Sequence, residues 1–170
     1  MRRSRTPTHT GSSQPRPSRR IAEAQPDHGH GRKPGEATGC PRCGASFRDG
    51  RWTWKTSEAA PSEKVCPACE RIEQGYPAGV LHATGAFAKA HRQDLVGLFR
   101  GIEEREKAEH PLKRIMKIED DADGLVVETT DAKLVETFGT ALHKAYKGEL
   151  TLPHTTADKE NLVRVHWKRD

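Results

Sequence analysis

The residues with the clearest capacity for chemistry in this sequence are its four cysteines, set in two pairs, Cys40-Pro41-Arg42-Cys43-Gly44 and Cys66-Pro67-Ala68-Cys69. A Cys-x-x-Cys turn places two sulfurs on one side of a metal ion, and a tetrahedral set of four thiolates suits zinc. The 22 residues from 44 to 65 form a loop that brings the second pair back to the first, a spacing close to that of a zinc ribbon. Gly44, directly after the first pair, lets backbone amides turn toward the sulfurs. The expectation is one structural Zn2+ held by Cys40, Cys43, Cys66 and Cys69. A redox-active Cys-x-x-Cys stands alone at a helix start, and a catalytic zinc keeps one position open for water. Two paired knuckles fit neither, so the metal is expected to shape the chain rather than to catalyse. Metal binding should be coupled to folding of residues 40–79, which hold few apolar side chains. His28 and His30 read as tail residues rather than ligands.

Other groups offer less chemistry. Glu103, Glu104, Glu106 and Glu109 lie near His110, but at the charged end of a helix, where pairs such as Glu103–Lys107 are ordinary solvated partners. His143 reads as a polar-face or packing histidine. No Ser/His/Asp order, Gly-rich phosphate loop or dinucleotide pattern is legible, so neither an enzyme nor a small-molecule substrate is expected. Trp52 and Trp54 alternate with cations, and such rings either stack bases or pack the small ribbon core. Nucleic-acid contacts are expected from Arg48, Arg51 and Lys55. A second cationic row, Arg164, His166 and Lys168, either joins them or guards an edge strand against aggregation.

These residues need elements to hold them. Gly50–Lys55 alternates as a strand, and Gly75–Gly79 reads as a turn or loop. From Thr84 to His110 a long helix is expected, with Phe87, His91, Leu95, Leu98, Phe99 and Ile102 as its apolar stripe and Pro111 closing it. Strands follow over 114–119 and 125–129 around the Asp123-Gly124 hairpin signal. A helix over 132–147 is capped by Thr130 or Asp131 and stopped by Gly148; its buried stripe is Leu134, Val135, Phe138, Ala141, Leu142 and Ala145. Strands over 149–152 and 161–168 complete a ββαββ layer.

Charge separates the two ends of the sequence. Residues 1–39 hold eight Lys and Arg against three acids, whereas the remainder is balanced at 21 of each. That N-terminal stretch has only Ile21 as a sizeable apolar side chain, so it cannot offset the entropy of ordering and reads as a disordered basic arm. Its cations would add salt-sensitive phosphate affinity, or simply solubility. No apolar run approaches the roughly 20 residues that span a membrane. Nor does the start carry the apolar core of a secretory signal or the amphipathic face of a transit peptide. A cytoplasmic location, with reduced cysteines, is expected.

In the segments CPRCG, CPACERIEQGYPAG, EEREKAEHPLKRIMKIE and TFGTALHKAYKGEL the chain resembles a small bacterial zinc-ribbon family. That family is similar in layout to the N-terminal part of the large-ribosomal-subunit nuclear export adapter of eukaryotes and its archaeal counterparts. The resemblance covers residues 40–168 and implies the same four zinc ligands on an α+β platform that binds the ribosome or its RNA. It does not extend to nuclear export, because the chain has one four-cysteine set and none of the adapter's later domains. The expected architecture is α+β: a disordered basic arm over 1–39, a zinc ribbon over 40–79, then a long helix and the ββαββ layer over 80–170. The expected function is non-catalytic binding of RNA or the ribosome, with a zinc-dependent protein-interaction module as the alternative.

Overall fold

The computed structural model describes residues 38–55, 62–152 and 162–170. The chain divides into two units, Met1–Arg32 and Lys33–Asp170, and every described residue belongs to the second. The expected arm falls outside the described residues except at its end, where Thr38 and Gly39 form strand β1 instead. Residue 161 of the last expected strand also lies outside them.

Among the described residues two sheets and four helices make a mixed α+β fold. The small sheet has the order β3-β2-β1-β4, with β2 at Ser46–Arg48, β3 at Arg51–Thr53 and β4 at Ser62–Glu63. Helix α1, Pro67–Gln74, follows it. The large sheet has the order β6-β7-β5-β9-β8, comprising β5 (Gly79–Thr84), β6 (Ile115–Asp121), β7 (Gly124–Thr129), β8 (Glu149–Thr151) and β9 (Val163–Lys168). The expected succession of two strands, a helix and two strands is present, but β5 runs through its middle, hydrogen-bonded to β7 on one side and β9 on the other. The turn read at Gly75–Gly79 therefore ends where this central strand begins. With β5 beside it and β8 on its outer side, β9 is an interior strand rather than the expected edge.

The single helix expected over 84–110 is two. Thr84 closes β5, Ala86–Ala90 is α2, and Arg92–Glu109 is α3. The start is displaced because Gly85 takes φ 100°, ψ 171°, a region essentially confined to glycine. A β-carbon there would meet the Arg169 carbonyl oxygen at 2.1 Å. The break falls at His91 (φ −111°, ψ 27°), whose exposed ring stacks 4.1 Å from that of Phe87. Asp131 is the N-cap of α4, Ala132–Tyr146, and accepts from the Leu134 amide at 3.1 Å.

Alternation along β5, β7 and β9 turns Leu81, Ala83, Leu125, Val127, Val165 and Trp167 toward the helices, all buried. Leu95, Phe99 and Ile102 of α3 and Leu134, Val135, Phe138 and Leu142 of α4 close this core from above; Ala145, expected in that stripe, is exposed. Close seating of α4 requires Gly139, where a β-carbon would lie 2.7 Å from Val165 and 2.9 Å from Leu150. A separate cluster of Cys40, Cys66, Ala68 and Cys69, with Cys43, Trp52, Val65 and Leu112 against it, fills the small sheet's end. Among the described residues no helix is long and apolar enough to cross a membrane.

Candidate metal centre

Strand pairing brings the two cysteine pairs together. β1 and β4 run parallel, with Thr38 opposite Ser62 and Gly39 opposite Glu63, and each strand leads into one pair. After β1 the chain reverses through Cys40–Cys43: the Cys40 amide donates to the Ala45 carbonyl at 2.7 Å, and the Gly44 amide to the Cys40 carbonyl at 2.9 Å. Gly44 takes φ 77°, which frees the turn to enter β2. After β4 the second pair opens α1. Cys66 is its N-cap and Pro67 its first residue, a position where a missing N–H costs nothing. Sequence reasoning missed this helix, although Cys-Pro followed by a later Gly75 carried its start and stop signals.

The four sulfur positions lie within 4.8 Å of one another, and Cys40, Cys66 and Cys69 are buried. Sγ of Cys43 and Sγ of Cys66 are 3.7 Å apart. A tetrahedral thiolate centre with metal–sulfur bonds of about 2.3 Å has sulfur–sulfur edges of about 3.8 Å, whereas a disulfide is about 2.05 Å. All four thiols are free, so the geometry fits a tetrahedral metal ion. Amides support the sulfurs: Cys66 N–H donates to Cys40 Sγ at 3.3 Å and Cys69 N–H to Cys66 Sγ at 3.5 Å. Burial pushes the Cys40 thiol up, but amide hydrogen bonds from Cys66, Arg42 and Cys43 outweigh it and bring its pKa down to about 6. Burial drives Cys66 and Cys69 upward, Cys69 against the pull of Arg114. A bound cation would hold all four as thiolates.

Arg114 was not singled out in the sequence, where it is one of several cations in Lys113-Arg114-Ile115-Met116-Lys117. It is 8% exposed and is the one buried charged side chain among the described residues. Its Nη1 donates to Cys69 Sγ at 3.3 Å, and Nη2 lies 3.9 Å from Cys66 Sγ. Burial opposes its charge, but the sulfurs of Cys43 and Cys69 outweigh burial and raise its pKa above the ordinary value.

The expected contact residues lie on two different sheets. Arg48 and Arg51 are exposed register partners at the tip of the β2–β3 hairpin, across the Asp49-Gly50 turn, and Lys55 is exposed just beyond β3. Arg164 and Lys168 lie on β9 of the other sheet, where Arg164 is half-buried and Lys168 pairs with Asp170 at 3.2 Å. His166, between them, stacks 4.9 Å from His82. Both tryptophan rings are engaged by the protein. Trp52 packs on the cysteine cluster, 5.6 Å from Phe47. Trp54 donates from its indole to the Lys107 carbonyl at 2.5 Å. Beside it Glu103, Glu104, Lys107 and Ala108 line a shallow cleft of about 360 Å³.

Three of the acid–base candidates are taken up structurally. Glu103 accepts from the Ile115 amide at 2.7 Å, Glu106 pairs with Lys113 at 2.6 Å, and His143 Nδ1 is 2.9 Å from the Gly148 carbonyl. Comparison with known proteins finds no matching family model, no significant curated match and no significant match among solved structures.

Proposed function

We propose that this chain is a zinc-ribbon protein of the cytoplasm, in which one structural zinc on Cys40, Cys43, Cys66 and Cys69 presents a basic hairpin to RNA, including ribosomal RNA. The observation that carries the reading is the pairing of Arg48 with Arg51. Like charges placed opposite one another across a hairpin destabilise it. Neither is ion-paired among the described residues, and Asp49 is the acid in the turn between them. A phosphate backbone relieves that repulsion. Residues 40–55 carry Arg42, Arg48, Arg51 and Lys55 against this one acid, so the hairpin is a cationic projection from the metal site. The cysteine segments resemble a bacterial zinc-ribbon family whose layout is similar to that of the large-ribosomal-subunit export adapter, which points the same way. With four sulfurs filling a tetrahedral shell, and Glu103, Glu106 and His143 held by structural contacts, the chain acts by contact rather than by catalysis.

RNA binding by the full chain should weaken steeply between about 50 and 200 mM salt. In the Arg48→Ala/Arg51→Ala pair the slope of log affinity against log salt should fall by about 1.4, two single-strand phosphate contacts. Fluorescence anisotropy with a ribosomal RNA fragment reads both. Salt-independent binding, or a slope unchanged in the double variant, would remove the hairpin from the interface. A protein partner is the second reading, favoured by the exposed apolar pair Ile72 and Tyr76 at the end of α1 (44% and 53% exposed). Capture of a protein from nuclease-treated lysate that is lost in Ile72→Ser/Tyr76→Ser but kept in the arginine pair would favour it.

A further inference from the structure

Arg114 joins three parts of the fold that share no strand pairing. Its guanidinium reaches Cys69 Sγ at 3.3 Å and Cys66 Sγ at 3.9 Å. Its Nε donates to the Pro111 carbonyl at 2.7 Å, and its Cζ sits 5.8 Å from the centre of the Trp54 ring. Its main chain is fixed independently: the Arg114 amide donates to Thr130 Oγ1 at 3.0 Å, and the Thr130 amide donates to the Arg114 carbonyl at 3.0 Å. The side chain is thus delivered to the sulfurs by the corner between α3 and β6, a part of the chain that contributes no ligand.

Four thiolates around a divalent cation leave a net charge of −2, buried against apolar Ala68 and Leu112. A buried charge is costly unless it is paired and hydrogen-bonded. The guanidinium offers both, with planar N–H groups that can serve two sulfurs at once. We propose that Arg114 is a positioning residue of the metal centre, donating from its guanidinium to the Cys69 and Cys66 sulfurs, offsetting part of the thiolate charge and fastening the centre to the α3–β6 corner. This rests on the reading of the four cysteines as a metal site. Outer-sphere partners of this kind alter metal affinity by about 10–100-fold.

The test uses Co2+ as a spectroscopic probe in the full chain. Wild type should bind one Co2+ with visible absorption of a tetrahedral thiolate site; no such spectrum would remove the metal reading itself. Arg114→Gln should bind Co2+ at least 10-fold more weakly, release it faster to a chelator, and show a shifted sulfur-to-cobalt charge-transfer band, because the sulfurs lose their N–H donors. Arg114→Lys, which keeps charge but not the planar fork, should recover part of the affinity. Lys113→Ala supplies the control, since it removes the 2.6 Å ion pair to Glu106 at the same corner without touching a sulfur or a hydrogen bond of Arg114. Its band should stay where wild type has it. A band unmoved in Arg114→Gln, or moved equally in Lys113→Ala, would overturn the role of the guanidinium while leaving the metal site standing.

Discussion

Cys66→Ser is expected to abolish stoichiometric metal binding and to unfold the small sheet while the large sheet stays folded. The substitution separates two roles of one residue. Serine is a good N-cap, so α1 keeps its start signal, but it cannot supply the thiolate. Structural zinc contributes on the order of 10 kcal/mol or more to folding in small zinc domains. The cluster around Cys40, Ala68 and Cys69 is too small to replace it. The large sheet has its own core, to which residues 38–75 contribute no buried side chain. Amide NMR should show collapsed signals for residues 38–55 and 62–75 and dispersed signals for 79–152, with local shifts at Arg114 where the sulfur partner is lost. Metal analysis after gel filtration should fall from one ion per chain to near none. A wild-type spectrum for residues 38–75 in this variant would show that the metal does not organise the small sheet.

Trp167→Ala should have the reverse pattern. Trp167 is fully buried, lies opposite Ala83 on β5 and Leu150 on β8, and donates from its indole to the Lys147 carbonyl at 2.7 Å. Its truncation removes a large apolar surface, opens a cavity and frees the chain after α4, where Lys147 takes φ 61°. The expected loss is about 3–5 kcal/mol. For a sheet unit of this size that lowers Tm by roughly 15–30 °C. Thermal unfolding followed by circular dichroism at fixed metal content reads it, with Trp167→Phe losing less because the ring body remains. Metal content at low temperature should be unchanged. A loss under about 1 kcal/mol would mean that β9 does not anchor this core.

The convergence of the cysteines was legible because Cys-x-x-Cys spacing is itself a geometric statement. The Asp131 cap, the Asp123-Gly124 hairpin and most of the α4 stripe were legible because each signal is local. Residues whose role depends on remote partners were not. Gly79–Thr84 is a six-residue run beside a strongly periodic helix, and only pairing with β7 and β9 makes it the central strand. The displaced start of the expected helix follows from the approach of Arg169 to Gly85, 84 positions apart in sequence. The alternation of Val163, Val165 and Trp167 gave β9 its buried face, but not β8 beside it, so an interior strand read as an edge. Arg114 looked like one more surface cation because nothing local in a sequence marks an arginine that reaches sulfurs 45 and 48 positions away.

The most direct test of the centre is the metal content of protein purified without added metal, together with metal–sulfur distances from X-ray absorption at the metal edge. One zinc per chain with four sulfurs at about 2.3 Å is the expected result. Iron in its place, less than half an equivalent of any metal in a folded small sheet, or a disulfide joining any two of Cys40, Cys43, Cys66 and Cys69 would contradict it.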